Sequence, residues 1–310
     1  MNIAVLGAGA MGMLFGSLLS KQNSVWLIDI DKKRIGNICS NGVVVQESNG
    51  DRLSFHPHAV DSSLDLPTMD LVIVFVKSMY TESALETNRN LLGSGTYLMT
   101  LQNGMGHEVK LARFVSKERI IIGSTQHNSS VIGDNIIRHG GGGKTSIGLL
   151  SGRSDSLSEI AANFTQCGLQ CATSDTVKSQ IWNKLFLNTS ASSLTAVLQV
   201  PLGFIVDDPY ACGLMEALAR EAVAVANASG EVKFEADQVI HEIKGVLTAA
   251  KSGCTSICAD IRDGRKTEVD TISGAVLDEA KRFGVPAPCH ATIVSLIHAL
   301  ENKNSGHVGC

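Results

Sequence analysis

Ile3-Ala4-Val5-Leu6 runs directly into Gly7-Ala8-Gly9-Ala10-Met11-Gly12, and residues 11–19 continue with helical periodicity. A β-branched run, a glycine-punctuated turn and a helix in immediate succession form a strand-turn-helix unit. In such a unit the first glycine permits the tight turn, the second lets backbone approach a phosphate and the third lets the helix pack on the strand. The helix N-terminus favours an anion. Asp29 closes the next apolar run, Val25-Trp26-Leu27-Ile28, at the spacing of about 20 residues where an acid meets a ribose hydroxyl. Gly7, Ala8, Gly9, Ala10, Met11 and Gly12 are therefore expected to cradle the pyrophosphate of a dinucleotide, with Asp29 on its ribose. A glycine-rich turn without a ligand is the plainer alternative, and the strand-turn-helix context argues against it.

Similar runs recur at 71–76, 97–101, 119–123 and 147–150. The unbroken apolar stretch Leu71-Val72-Ile73-Val74-Phe75-Val76 suits a strand covered on both faces, as in a parallel sheet flanked by helices. Beyond about residue 175 these runs give way to long helical patterns at 179–198, 212–228, 236–250 and 267–283, punctuated by Pro201, Pro209, Ser229-Gly230 and Ser252-Gly253. A chain of 310 residues accommodates two domains. We expect an α/β fold: a Rossmann dinucleotide-binding domain over 1–174, then an all-helical domain over 175–310 carrying substrate binding and catalysis.

Composition narrows the function. An apolar fraction of 44% and a charged fraction of 18% belong to a folded soluble protein. Twenty-six basic against thirty acidic residues leave a formal charge of −4, with no basic stripe to meet phosphates, so nucleic acid is not an expected partner. No positively charged leader and no uncharged apolar run of about 18 residues are visible, so neither secretion nor membrane insertion is expected. The eight cysteines include no C-x-x-C pair. Two C-x-x-x-C pairs lack companion histidines, which implies reduced thiols in a cytoplasmic protein and no metal site. Residues 133–148, with Ile136-Ile137 and Ser146-Ile147 around His139-Gly140-Gly141-Gly142-Gly143, read as a hairpin with a flexible turn. Gly143-Lys144-Thr145 does not close a phosphate loop, because Arg138 stands where that motif needs glycine.

One helix carries polar residues in an unusual place. At about 100° per residue from Ile181, Lys184 falls near 300°, Asn188 near 340° and Ser192 near 20°. All three share the side of Ile181 and Leu185, while Trp182, Phe186 and Leu187 make the rest apolar. The helix is expected to be buried all round, with Lys184 pointing into a cleft, where desolvation lowers its pKa toward neutrality and fits it for proton delivery. A lysine snorkelling to the surface is the alternative.

Trp182-Asn183-Lys184-Leu185-Phe186-Leu187-Asn188, followed by Leu194-Thr195-Ala196, resembles the W-x-K-L-x-x-N signature of the ketopantoate reductase family. The 7–12 turn, Lys77, Gln102-Asn103-Gly104, Ser256, Asp260 and Thr267-Glu268-Val269-Asp270 agree in order along nearly the whole chain. The resemblance implies a Rossmann domain joined to a helical domain like that of 6-phosphogluconate dehydrogenase, with the active site between them. It implies reduction of a 2-oxo acid, 2-dehydropantoate above all, by NADP(H) in pantothenate biosynthesis; Asp29 leaves NAD(H) open. Carried over residue by residue, it makes Lys184 the catalytic lysine and Glu268 the glutamate that contacts ribose and organises the site. Asn188, Ser192 and Ser256 become substrate-binding, Asn103 lies near nicotinamide and substrate on the Rossmann side, and Lys77 is a cofactor-side lysine.

Each of these has a bland alternative: Asn103-Gly104 as a turn, Thr267 with Asp270 as a helix-capping box, Lys77 as a solvated charge and Ser256 as a helix-boundary hydroxyl. Ser192 and Ser273 stand where the family commonly has asparagine, which points to another 2-oxo acid as a possible substrate. A hydroxy-acid or opine-type dehydrogenase and a non-catalytic dinucleotide-binding redox sensor are the competing readings. Oligomeric state is not legible. Near Asp29 the sequence offers Lys32, Lys33 and Arg34 as rival partners for a 2′-phosphate, so weak cofactor discrimination is expected.

Overall fold

The computed structural model describes residues 1–306. They divide into two compact units: Met1–Gln102 with His107–Val177, and Asn103–Gly106 with the chain from Lys178 on.

The first unit holds strands β1 (Asn2–Leu6), β2 (Ser24–Ile28), β3 (Val43–Gln46), β4 (Arg52–Phe55), β5 (His58–Val60), β6 (Leu71–Val74), β7 (Tyr97–Thr100), β8 (Ile120–Thr125), β9 (Ser129–Gly133), β10 (Ile136–His139), β11 (Thr145–Leu149) and β12 (Cys171–Thr173). Eight of them form one sheet in the order β12-β11-β8-β7-β6-β1-β2-β5. All neighbours in it are parallel except β8 and β11. The chain winds outward from β1 through β2 to β5, then returns to β6 on the other side of β1, so the order reverses between β1 and β6. β6 and β7 are buried along their whole length, as strands covered on both faces must be.

Around this sheet lie α1 (Ala10–Leu19), α2 (Lys32–Asn41), α3 (Thr81–Thr87), α4 (His107–Leu111) and α5 (Asp155–Gln166). A second sheet, β4-β3-β10-β9, was not expected. α1 packs against strands of both sheets, which is why every residue from Gly12 to Leu19 is buried and the helix is apolar around its whole girth. The expected hairpin over 133–148 does not form. Ile136-Ile137 pair with β9 and β3 in the small sheet, whereas Ser146-Ile147 pair with β8 and β12 in the large one. The glycine run thus carries the chain from one sheet to the other.

The second unit contains helices and no strand among the described residues: α6 (Val177–Leu187), α7 (Ser193–Leu198), α8 (Leu202–Asp207), α9 (Pro209–Ala228), α10 (Ala236–Ala249), α11 (Ser256–Arg262), α12 (Ser273–Phe283) and α13 (Pro288–Asn304). Its core gathers Trp182, Phe186, Met215, Leu218, Ile243 and Ile297. Among the described residues no helix is long and apolar enough to cross a membrane.

Candidate active site

In the first unit the loops after β1 and β6 sit side by side, Leu6 being level with Val74, and open parallel sheets bind ligands beyond strand ends at such a reversal. Gly7 has φ +100°, and a Cβ there would lie 2.8 Å from the Val76 nitrogen. At Gly12 a Cβ would collide with the Gly7 carbonyl oxygen. Gly9 faces open space and, as the residue capping α1, offers no side chain to its first-turn N–H groups. Those donors are left for an anion. The turn therefore has the close packing and the bare helix end that a pyrophosphate requires.

Asp29 fastens itself to that turn. Its Oδ2 accepts the Ala8 N–H at 2.7 Å and its Oδ1 the Asp31 N–H at 3.0 Å. Of the three cations that follow, Lys32 and Lys33 turn away to Asp61 and Asp134, at 3.6 and 2.9 Å. Arg34 stays, with Nη1 4.0 Å from Asp29 Oδ2 and Nη2 3.5 Å from Asp31 Oδ2; its Nε is buried without a hydrogen-bond partner. Lys77, partly buried, follows β6 and precedes the short 3-10 turn Ser78–Tyr80. Gln102, quoted above only as part of the 102–104 motif, has a role of its own. Its Nε2 donates to the Val76 carbonyl at 2.6 Å and to Thr81 Oγ1 at 3.0 Å, tying the loop that carries Lys77 to the end of β7.

In the second unit α6 and α7 are joined by a π-helical turn, Asn188–Ser192. Such turns widen a helix by one residue and recur at functional sites. The 100° phase therefore holds only as far as Leu187, and the extrapolation to Ser192 fails. Nor is the helix buried all round, because Asn183 is exposed; Trp182, Leu185 and Phe186 are buried, and Lys184 and Asn188 partly so. Burial pushes the Lys184 ammonium down to about 8, while the negative charge of Glu268 acts to raise it.

Glu268 precedes a 3-10 turn, Val269–Thr271, and α12 starts only at Ser273, after a break at Ile272. The capping box suggested by Thr267 and Asp270 does not form: Thr267 gives its N–H and hydroxyl to Glu301 Oε1, at 2.8 and 2.6 Å, and Asp270 pairs with His298. The Met105 N–H donates to the Thr271 carbonyl at 2.8 Å. Gly104 has φ +94°, and a Cβ on it would collide with the same oxygen. The loop bearing Asn103 is thereby seated on the turn that follows Glu268, in the helical unit and not the Rossmann unit where the sequence had placed it. Ser256 is exposed at the start of α11. Its neighbour Thr255 caps that helix and bonds the Thr195 hydroxyl at 2.8 Å, a link to α7 that spacing could not reveal. Ser273 is fully buried, bonded to Thr189 Oγ1 at 2.9 Å and Ser193 Oγ at 2.8 Å.

A lysine of lowered pKa within the charge influence of a carboxylate, on a helix opened by a π turn, is chemically able to deliver a proton. Two family models cover most of the same chain: "Ketopantoate reductase PanE/ApbA" matches residues 3–152 and its C-terminal partner residues 176–301. The chain belongs to the ketopantoate reductase family. Its relatives include 2-dehydropantoate 2-reductases of Halobacterium salinarum, 28% identical over 96% of this chain and 98% of that one, and of Pyrococcus horikoshii, 27% identical over 99% of each. Among solved structures it is similar to 2-dehydropantoate 2-reductase from Geobacter metallireducens, with a TM-score of 0.90 and 29% identity over 96% of this chain and 99% of that one. It is equally similar to D-mandelate dehydrogenase solved with NADH and anilino(oxo)acetate, with a TM-score of 0.92 and 27% identity over 98% and 100%. The ketopantoate reductase fold, an α/β sheet unit followed by a helical one, accounts for the whole described chain.

Proposed function

We propose that this protein reduces a 2-oxo acid to the 2-hydroxy acid with a reduced nicotinamide dinucleotide, the principal substrate being 2-dehydropantoate. The observation that carries the reading is Lys184, a buried ammonium lowered to about 8 and coupled to Glu268. When bound, the nicotinamide supplies the hydride that the carbonyl carbon receives. The chain supplies the rest. Lys184 Nζ hydrogen-bonds to the carbonyl oxygen, polarises it and hands it a proton as charge develops, and Glu268 keeps that ammonium charged. The Asn188 amide, the Ser192 and Ser256 hydroxyls and Asn103 hold the substrate. The 7–12 turn, Asp29 and Lys77 serve the cofactor, to which Asn103 and Glu268 also contribute.

A second reading, a dehydrogenase for another 2-oxo acid, is favoured by hydroxyls where the family commonly has amides. Of these, Ser273 acts only through packing, since Thr189 and Ser193 use its hydroxyl; Ser192 is the one that alters the reach of the site. The seven described cysteines are all unpaired thiols, which supports a cytoplasmic location. Following cofactor absorbance with 2-dehydropantoate and an aryl-substituted 2-oxo acid, using NADPH and NADH in turn, separates the readings. A kcat/KM at least tenfold higher for 2-dehydropantoate is expected; the reverse order makes the second reading correct, and no turnover of either defeats both.

A further inference from the structure

Two histidines and a carboxylate form an enclosed chain in the sheet unit. His139 Nδ1 lies 2.8 Å from Oε2 of Glu47, the residue after β3, and His139 Nε2 lies 3.0 Å from His127 Nδ1. His127 is 7% exposed and His139 5%; the rings stack on each other, and His127 meets Phe15 edge-on. This order of groups fixes the protons. A carboxylate only accepts, so His139 gives it the Nδ1 proton and keeps a bare Nε2, to which His127 gives its own Nδ1–H. His127 Nε2 is then a bare lone pair, and it is buried with no hydrogen-bond partner in the protein. Burial, with His139 adding to it, holds the His127 imidazole below its ordinary range, while Glu47 opposes; the ring stays uncharged at neutral pH.

His127 also lines a cavity of about 300 Å³, together with Gln126, Lys144, Gln170 and glycines at 142, 143 and 168. Lys144 brings a positive charge, and Lys21 Nζ stands 3.4 Å from where a Cβ on Gly168 would lie. None of the described lining residues is acidic. We propose that this cavity binds inorganic hydrogen phosphate, its anionic oxygens toward Lys144 and Lys21 and its P–O–H donating to His127 Nε2. The lysines call for an anion and disfavour an amine or a metal ion. The bare lone pair calls for an anion that still carries a proton. Sulfate and carboxylates meet the first requirement and not the second, and a phosphate monoester has lost its last proton at pH 8. Hydrogen phosphate meets both. The cavity takes no residue from the 7–12 turn, Asp29 or Lys77, and the proposal is independent of the substrate assigned above.

The test titrates the full-length protein at pH 8 with inorganic phosphate, sulfate and glycerol 3-phosphate at matched ionic strength, an excess of NADH filling the dinucleotide turn. Imidazole nitrogens are followed by long-range 1H–15N spectroscopy, with His127 assigned from the signals lost in His127→Phe. In the free protein His127 Nε2 should resonate as a bare, pyridine-type nitrogen and move upfield on adding phosphate. Phosphate should bind roughly tenfold more tightly than the other two anions, the worth of one O–H donor to a buried acceptor. His127→Phe should abolish that preference. Glu47→Gln, whose amide can serve either tautomer of His139, should reduce it, and Lys144→Met should weaken all three anions together. Equal binding of phosphate and sulfate would mean an adventitious ion only and overturns the proposal, as does a phosphate preference that survives in His127→Phe. Should that variant fail to fold, the Glu47→Gln comparison and the wild-type signal decide: an Nε2 that does not move with phosphate overturns the site.

Discussion

Lys184 carries the sharpest expectations at the scale of single residues. With Lys184 as the proposed acid, only its protonated form completes the reduction, so kcat for the oxo acid should hold steady at low pH and fall as pH rises past about 8. Glu268 acts to raise that pKa, so Glu268→Gln should move the falling limb to lower pH as well as slow turnover. A pH-rate profile of both proteins checks this, and an unmoved limb would disconnect the two groups. Asp29 is proposed to meet the ribose of the cofactor. Its carboxylate repels a 2′-phosphate, while Arg34 alone of the three nearby cations remains beside it, since Lys32 and Lys33 are held by Asp61 and Asp134. Asp29→Asn should shift the ratio of kcat/KM toward NADPH by roughly tenfold, about 1.4 kcal/mol. No shift would remove Asp29 from the ribose.

At the scale of elements, helix ends and interruptions matter more than helix interiors. The first turn of α13 is capped from α9: Glu221 accepts the N–H groups of Cys289 and His290 at 2.9 and 3.1 Å and His290 Nδ1 at 2.9 Å. Burial holds the fully enclosed His290 imidazole below its ordinary range, with Glu221 opposing. Because the unfolded chain takes up this proton more readily than the folded one, stability is present above the ordinary histidine value of about 6.5 and is lost as pH falls below it. Thermal melts from pH 8 to 5 should show that decline. Glu221→Gln should cost about 1–3 kcal/mol at pH 7, and a variant melting with the wild type would refute the cap.

Much of this layer was hidden in the sequence. The 7–12 turn was legible because its strand, glycines and helix are contiguous. The small sheet was not, since β9 leaves its apolar Val131 and Ile132 exposed and the sheet is closed by pairing β10 with the distant β3. The π turn escaped because a fixed 100° phase cannot register an inserted residue, and the seat of Asn103 on Thr271 depends on a contact between positions 105 and 271.

Across the whole molecule the proposed chemistry divides between the two units: the sheet unit holds the glycine turn of 7–12 and Asp29, the helical unit Lys184, Glu268, Asn103 and Ser256. Motifs within each were readable because their residue types are chemically unusual where they stand, a partly buried lysine between Trp182, Leu185 and Phe186 above all. The most direct test of this division replaces Lys184 by alanine and measures turnover of the oxo acid alongside cofactor affinity by fluorescence titration. Turnover should fall about 10²- to 10⁴-fold, the usual contribution of a positioned acid, with the cofactor Kd nearly unchanged. A loss of turnover below about threefold on that scale, or an equal loss of cofactor affinity, would contradict the account.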